Sequence, residues 1–251
     1  ITNANTGGAT FSGGISGGYT LTVAGTQAVT LSGAITGTST ALTQTNSNTV
    51  TLSNTGNTYT GATTINAGTL SVSGNLSSST AVTVGASGTY TLANNNSIGS
   101  LAGSGAVSLG SYTLTVGGDN TSTTFSGGIT GSGSLVKVGS GTFTLSGTSN
   151  NSYGWGTTIN AGTLSVSAGN NLGSGTITLG GGTLSVTGSS AFSTSDTIAL
   201  TDNSIITNAN TGGATFSGGI SGNKTLTVAG TQAVTLSGAI TTGTALTQTN
   251  S

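Results

Sequence analysis

The sequence predicts an all-β protein wound as a parallel β-helix, or β-solenoid, with essentially no helix. Three observations predict it. Aliphatic residues alternate with Thr and Ser along the whole chain, clusters of Gly, Asn and Ser interrupt that alternation about every 8 to 12 residues, and long stretches return nearly unchanged.

Taken in order, Leu21 and Val23 between Thr20 and Thr22 open the series, followed by Val29 with Leu31, Leu70 with Val72, Val82 with Val84, Tyr90 with Leu92, and Leu114 with Val116. Phe143 with Leu145, Leu164 with Val166, Ile177 with Leu179, Leu184 with Val186, Ile198 with Leu200, Leu226 with Val228, and Val234 with Leu236 continue it. Successive side chains of a strand point to opposite faces, so each pair sets two apolar groups on one face and hydroxyls on the other. Thr, Val and Ile suit a pleated backbone, and no segment shows the i, i+3, i+4, i+7 spacing of a helix. The intervening "SGG", "GGDN", "ANNNS" and "TGSS" clusters are expected to supply the positive φ values of tight corners.

A β-sandwich needs a thick core, yet the chain has one Trp, five Tyr and five Phe in 251 residues. A thin aliphatic core winding around a long axis fits better, and the repeats support it. The stretch beginning "ITNANTGGATFSGG" at Ile1 returns at Ile206, "TTINAGTLSVS" at Thr63 returns at Thr157, and "FSGGI" occurs at Phe11, Phe125 and Phe216. Residues 1–251 are therefore expected to form a single continuous solenoid, with 1–205 as one repeat and 206–251 as the start of the next. Coils of about 20 to 30 residues would give roughly 9 to 12 coils and a rod ~40 to 60 Å long. Right-handed winding is the expected hand for parallel connections. Leu, Val and Ile are expected inside, with Thr, Ser and Asn outside.

Composition excludes several kinds of function. Without His or Cys the chain has no imidazole base, thiolate or usual zinc ligand set. Its charges are Lys137, Lys224, Asp119, Asp196 and Asp202, too few and too acidic to hold a phosphate backbone, so no nucleic-acid partner is expected. Asp196 and Asp202 flank "TIAL", but no base, Arg or metal cluster accompanies them. Asp119 and Asp202 each precede Asn and read as turn formers. No catalytic residue, cofactor or metal site is assigned, and an enzyme is not expected. Lys137 shares a strand face with Leu135 while Val136 and Val138 lie on the other, so alternation does not fix its facing, and it is expected to reach solvent from a rung end, with Lys224 exposed at a corner. Tyr153 and Trp155, in the Gly-rich "NSYGWG", are the candidate surface contacts for a sugar or a partner.

One motif is more specific. Leu135, Lys137, Gly139, Gly141, Phe143, Leu145 and Gly147, followed by Tyr153, Gly156, Thr158, Ile159, Asn160, Gly162 and Leu164, resemble the autotransporter-associated β-strand repeat, also called the passenger-associated transport repeat. A second copy runs from Leu42 to Leu70, with Gln44 at the Lys position and Asn48 where Gly is expected. The resemblance implies a secreted bacterial passenger region, exported through a C-terminal barrel and folded as a β-helix on the cell surface. The chain shows no signal peptide, transmembrane run or barrel, as expected of an internal slice, so membrane contact would come only through parts outside this segment.

The function expected is a structural, extracellular repeat region forming a stalk, adhesin shaft or filament. Its partners would be further copies of itself, joined head to tail or laterally, and cell-surface or matrix polysaccharide. The alternative is an ice-binding or carbohydrate-binding β-solenoid adhesin that uses Thr ladders, such as Thr20 with Thr22 and Thr142 with Thr144, or its loop aromatics.

Overall fold

Alternation dictates short strands that expose half their side chains, and such strands gain stability only by stacking their inward halves. The computed structural model describes residues 1–147, 151–241 and 243–249 and shows that arrangement. Thr148, Ser149 and Asn150, in the loop of the motif, lie outside the described residues. Every pairing between named strands is parallel, and each strand pairs with one a full coil away, as in Leu21↔Leu42 and Leu164↔Leu184. The coils contain as few as 17 residues, at Tyr90↔Val107, and as many as 22, at Asn3↔Gly25. The result is a β-solenoid of about 12 turns, which at ~4.8 Å per turn is a rod about 55 Å long. Most coils have 20 to 22 residues, at the short end of the expected range, and a few fall to 17 to 19 because several corners need only two or three residues. One 3₁₀ turn, Gly169–Leu172, interrupts the β-structure.

The core is a set of columns running along the axis. Val29, Val50, Leu70, Tyr90, Val107 and Ile129 stack in one, and Phe143, Leu164, Leu184 and Ile206 in another. The alternating pairs read from the sequence turn their apolar members inward as expected. Leu21, Val234 and Leu236, at the two ends of the rod, are the members left half-buried.

Not every polar residue faces out. Thr40, Thr63, Thr80 and Thr157 are buried, as are Asn57, Asn96, Asn151 and Asn171. This corrects the simple division of aliphatic inside and polar outside, and the reason is hydrogen bonding at the corners. Asn57 accepts from the Ile35 N–H of the preceding coil (2.9 Å) and donates to the Asn75 carbonyl of the following one (3.1 Å). Asn96 accepts from Leu76 N and donates to the Gly74 carbonyl. Asn151 accepts from Ile129 N and donates to the Asn171 carbonyl. These asparagines pair backbone groups that the strand ladder leaves over at a bend. Positive φ at the corners falls to glycine almost throughout, Asn120 being the sole other residue with it among those described.

Candidate functional surface

Trp155 and Tyr153 part company in the structure. Trp155 is 63% exposed, on the outside of a corner, while Tyr153 is fully buried. Its hydroxyl hydrogen-bonds to Thr157 Oγ1 at 2.7 Å, and Thr157 in turn donates to the Leu172 carbonyl. Tyr153 is therefore a corner filler rather than a surface contact, because the chain bends at Gly154 and Trp155 and turns the indole outward. Burial pushes the Tyr153 phenol well above its ordinary value, against the effect of its hydrogen bond with Thr157, and this keeps it neutral. Tyr59 repeats the arrangement, with its hydroxyl 2.6 Å from Thr63 Oγ1. This Tyr/Thr pair was legible only as an i, i+4 coincidence shared by two related stretches.

Lys137 lies inside the rod, 1% exposed, and not at the solvent edge. It occupies an aliphatic column, Ile98–Val116–Lys137–Ile159–Leu179–Leu200, with its stem between Val116 and Ile159. Nζ donates to the carbonyls of Val138 (2.6 Å), Gly139 (2.9 Å) and Ala161 (3.4 Å). Alternation had placed it on the Leu135 face; the corner carbonyls are what let an ammonium remain there. Gly162 makes room, since its φ is +62° and a Cβ there would stand 2.9 Å from Nζ. Desolvation lowers the lysine's pKa.

Gln44 takes the same place in its own column, Val23–Gln44–Ile65–Val84, and Nε2 donates to the Asn48 carbonyl (3.4 Å). Neighbouring Asn46 stabilises that corner further by donating to the Ala24 and Gln27 carbonyls and accepting from Asn48 N.

The carboxylates serve corners. Asp119 accepts from the N–H and hydroxyl of Thr121 and from Ser100 Oγ. Partial burial pushes its pKa up, but these hydrogen bonds outweigh that and hold it below the usual range. Asp196 accepts from Thr194 Oγ1, and Asp202 from Asn203 N. Asp202 also lies 3.8 Å from Lys224, an exposed ion pair.

The outer surface is ruled with hydroxyls. Thr22, Thr43, Thr64 and Thr83 share one row, and Thr10, Thr30, Thr51, Ser71, Thr91, Ser108 and Thr130 another. Some are bonded along the row, as Thr113 to Ser134 (2.9 Å) and Thr176 to Thr197 (3.1 Å).

Two stretches thus share one design: an inward polar residue at the first corner, a buried Asn and Tyr/Thr pair at the second, and a glycine of φ near +60° at the third, Gly68 and Gly162. The Passenger-associated-transport-repeat family matches residues 42–72 and 135–166, the same two stretches. The chain carries two passenger-associated transport repeats. A curated relative, the Adhesin BmaC autotransporter of Brucella suis biovar 1 (strain 1330), is 47% identical over 73 residues. That match covers 27% of this chain and 2% of the adhesin, so the chain spans a very small part of that relative's length. No solved structure matches. Passenger-associated transport repeats on a continuous solenoid fit a surface repeat region of a surface-exposed or secreted protein.

Proposed function

We propose that this segment is a length-giving shaft of a bacterial surface adhesin, structural rather than catalytic. The observation that carries the reading is the unbroken parallel ladder from the first coil to the last, clad in hydroxyls with scarcely a charge. Each coil contacts only its neighbours, so adding repeats lengthens such a rod without redesigning it. On this reading residues 1–205 are one unit and the rest begins another. Similarity to part of an adhesin supports the cell surface as the location.

Shafts of this kind associate with more of themselves. Neighbouring rods hardly repel, and rows of hydroxyls can bond laterally, as some already do within the chain. Exposed Trp155, standing proud of a corner, is the residue best placed to stack on a surface or matrix polysaccharide. The test of the shaft is reach. Chains displaying one, two and three copies of the 1–205 sequence below a terminal epitope should raise it in equal steps of about 50 Å, measured by electron microscopy. Equal heights would overturn the reading.

A second reading, adhesion to ice through the threonine rows, is favoured by their strict register on successive coils. A purified chain without thermal hysteresis would remove it.

A further inference from the structure

The two transport repeats close their first corner with different side chains on one backbone. Residues 63–70 and 157–164 are identical in sequence, and Gln44 lies between Val23 and Ile65 as Lys137 lies between Val116 and Ile159. The corner frames match. Thr45 N donates to the Val23 carbonyl and Val138 N to that of Val116, both at 2.9 Å, while Thr69 N meets Asn48 O at 3.2 Å and Thr163 N meets Gly141 O at 3.3 Å. A Cβ on Gly68 would collide with the carbonyls of Asn46 and Asn48, just as one on Gly162 would collide with those of Gly139 and Gly141.

Within that frame the side chains reach different distances. Lys137 carries Nζ onto the carbonyls of Val138, Gly139 and Ala161, whose counterparts in the first repeat are Thr45, Asn46 and Ala67. Glutamine is one atom shorter along its length, so its amide stops before the place where Nζ stands. Gln44 Nε2 donates to the Asn48 carbonyl, and Oε1, in a residue that is 0% exposed, has no hydrogen-bond partner among the described residues. Turning the amide over would only set oxygen against oxygen. The neighbouring amides are committed elsewhere, Asn46 Nδ2 to the carbonyls of Ala24 and Gln27 and Asn48 Nδ2 to that of Thr26.

We propose that one buried water molecule completes this corner, at the place that Lys137 gives to Nζ, donating to Gln44 Oε1 and to the Asn46 carbonyl. Both groups accept, so their common partner must donate. Water has the size of an ammonium head and two protons for two acceptors, and it brings no charge into a neutral corner. The Lys position of the repeat thus sets how the corner is closed: by an ammonium directly, or by an amide and a water together.

The test counts long-lived internal waters in the whole chain by water-oxygen magnetic relaxation dispersion, with the fold of each variant checked by circular dichroism. Gln44→Lys should lose one such water, and Lys137→Gln should gain one. An unchanged count in the first would overturn the proposal, and in the second would overturn its extension to the lysine corner. Should Gln44→Lys fail to fold, Gln44→Met removes the acceptor without adding charge and should lose the same water. Diffraction from crystals of the unsubstituted chain reads the site directly: density for one oxygen about 3 Å from both Gln44 Oε1 and the Asn46 carbonyl supports the water, and a corner closed without it overturns it. A small cation is the competing occupant. Replacing sodium by a bulky organic cation at constant ionic strength should leave the thermal midpoint in place; a fall that Gln44→Lys abolishes would hand the site to the cation and overturn the proposal.

Discussion

Lys137 shows how much one corner can change the cost of a side chain. A buried ammonium without partners would be intolerable, but the carbonyls of Val138, Gly139 and Ala161 converge on it. Lys137→Met would fit the column between Val116 and Ile159 yet leave those carbonyls without their donor, costing about 1 to 3 kcal/mol. Lys137→Gln should cost less, because Gln44 shows an amide spanning the equivalent corner. Urea denaturation of both variants would check the order. The titration has a definite sign: a lysine with a lowered folded pKa makes stability rise as pH climbs from that value to its ordinary 10.5. Neither variant should keep this lysine-dependent part of the rise. Leu145→Asp, by contrast, puts a carboxylate in the apolar column between Phe125 and Val166, and should cost several kcal/mol, read as a lower thermal midpoint. Alternation gave the facing of Leu145 but left that of Lys137 open, with Leu135 on one face and Val136 and Val138 on the other. What it withheld was solvation, since the carbonyls of Val138 and Gly139 meet Nζ at a corner together with that of Ala161 from the next coil, a convergence that alternation does not mark.

The coil is the element of this fold, and its corners rather than its strands carry the specificity. Strands are nearly interchangeable triplets of Thr and aliphatic residues, which is why their positions and facing were readable. Corners are set by single residues: a glycine of positive φ, a buried asparagine bridging coils, a tyrosine whose hydroxyl meets a threonine four residues on. The aromatic pair marks the limit of legibility, for Tyr153 and Trp155 belong to one Gly-rich loop but lie on opposite sides of the wall. Asn96→Ala removes both the acceptor for Leu76 N and the donor to the Gly74 carbonyl, leaving buried groups unpaired. It should cost about 1 to 3 kcal/mol, with hydrogen exchange quickening first around Leu76. Truncating an exposed row residue such as Thr83 should cost well under 1 kcal/mol. If the two substitutions cost the same by calorimetry, the corners do not have the part assigned to them.

For the whole rod, the few charges turn a composition into a stability profile. The exposed Asp202–Lys224 pair is worth little and is easily screened, so chloride salt between about 0.05 and 1 M should barely move the thermal midpoint. Acid affects Asp119, whose lowered folded pKa gives stability that is complete above the ordinary carboxylate range and is lost as pH falls through the lowered value. Alkali affects Tyr59, Tyr90 and Tyr153, all raised chiefly by burial from an ordinary 10.0. Their contribution is whole below that value and disappears as the unfolded chain ionises above it. The gain from Lys137 runs the opposite way over an overlapping range, but three buried phenols outweigh one amine. The midpoint should therefore change little from about pH 5 to pH 9 and fall steeply beyond about pH 10. Tyr59→Phe should soften that fall, since it removes one ionising group while leaving the ring in place. Melting curves followed by circular dichroism across this range would decide it, and a rod that melted at mildly acidic pH would mean that charge has a larger share in its stability than five ionisable side chains of Lys and Asp can supply.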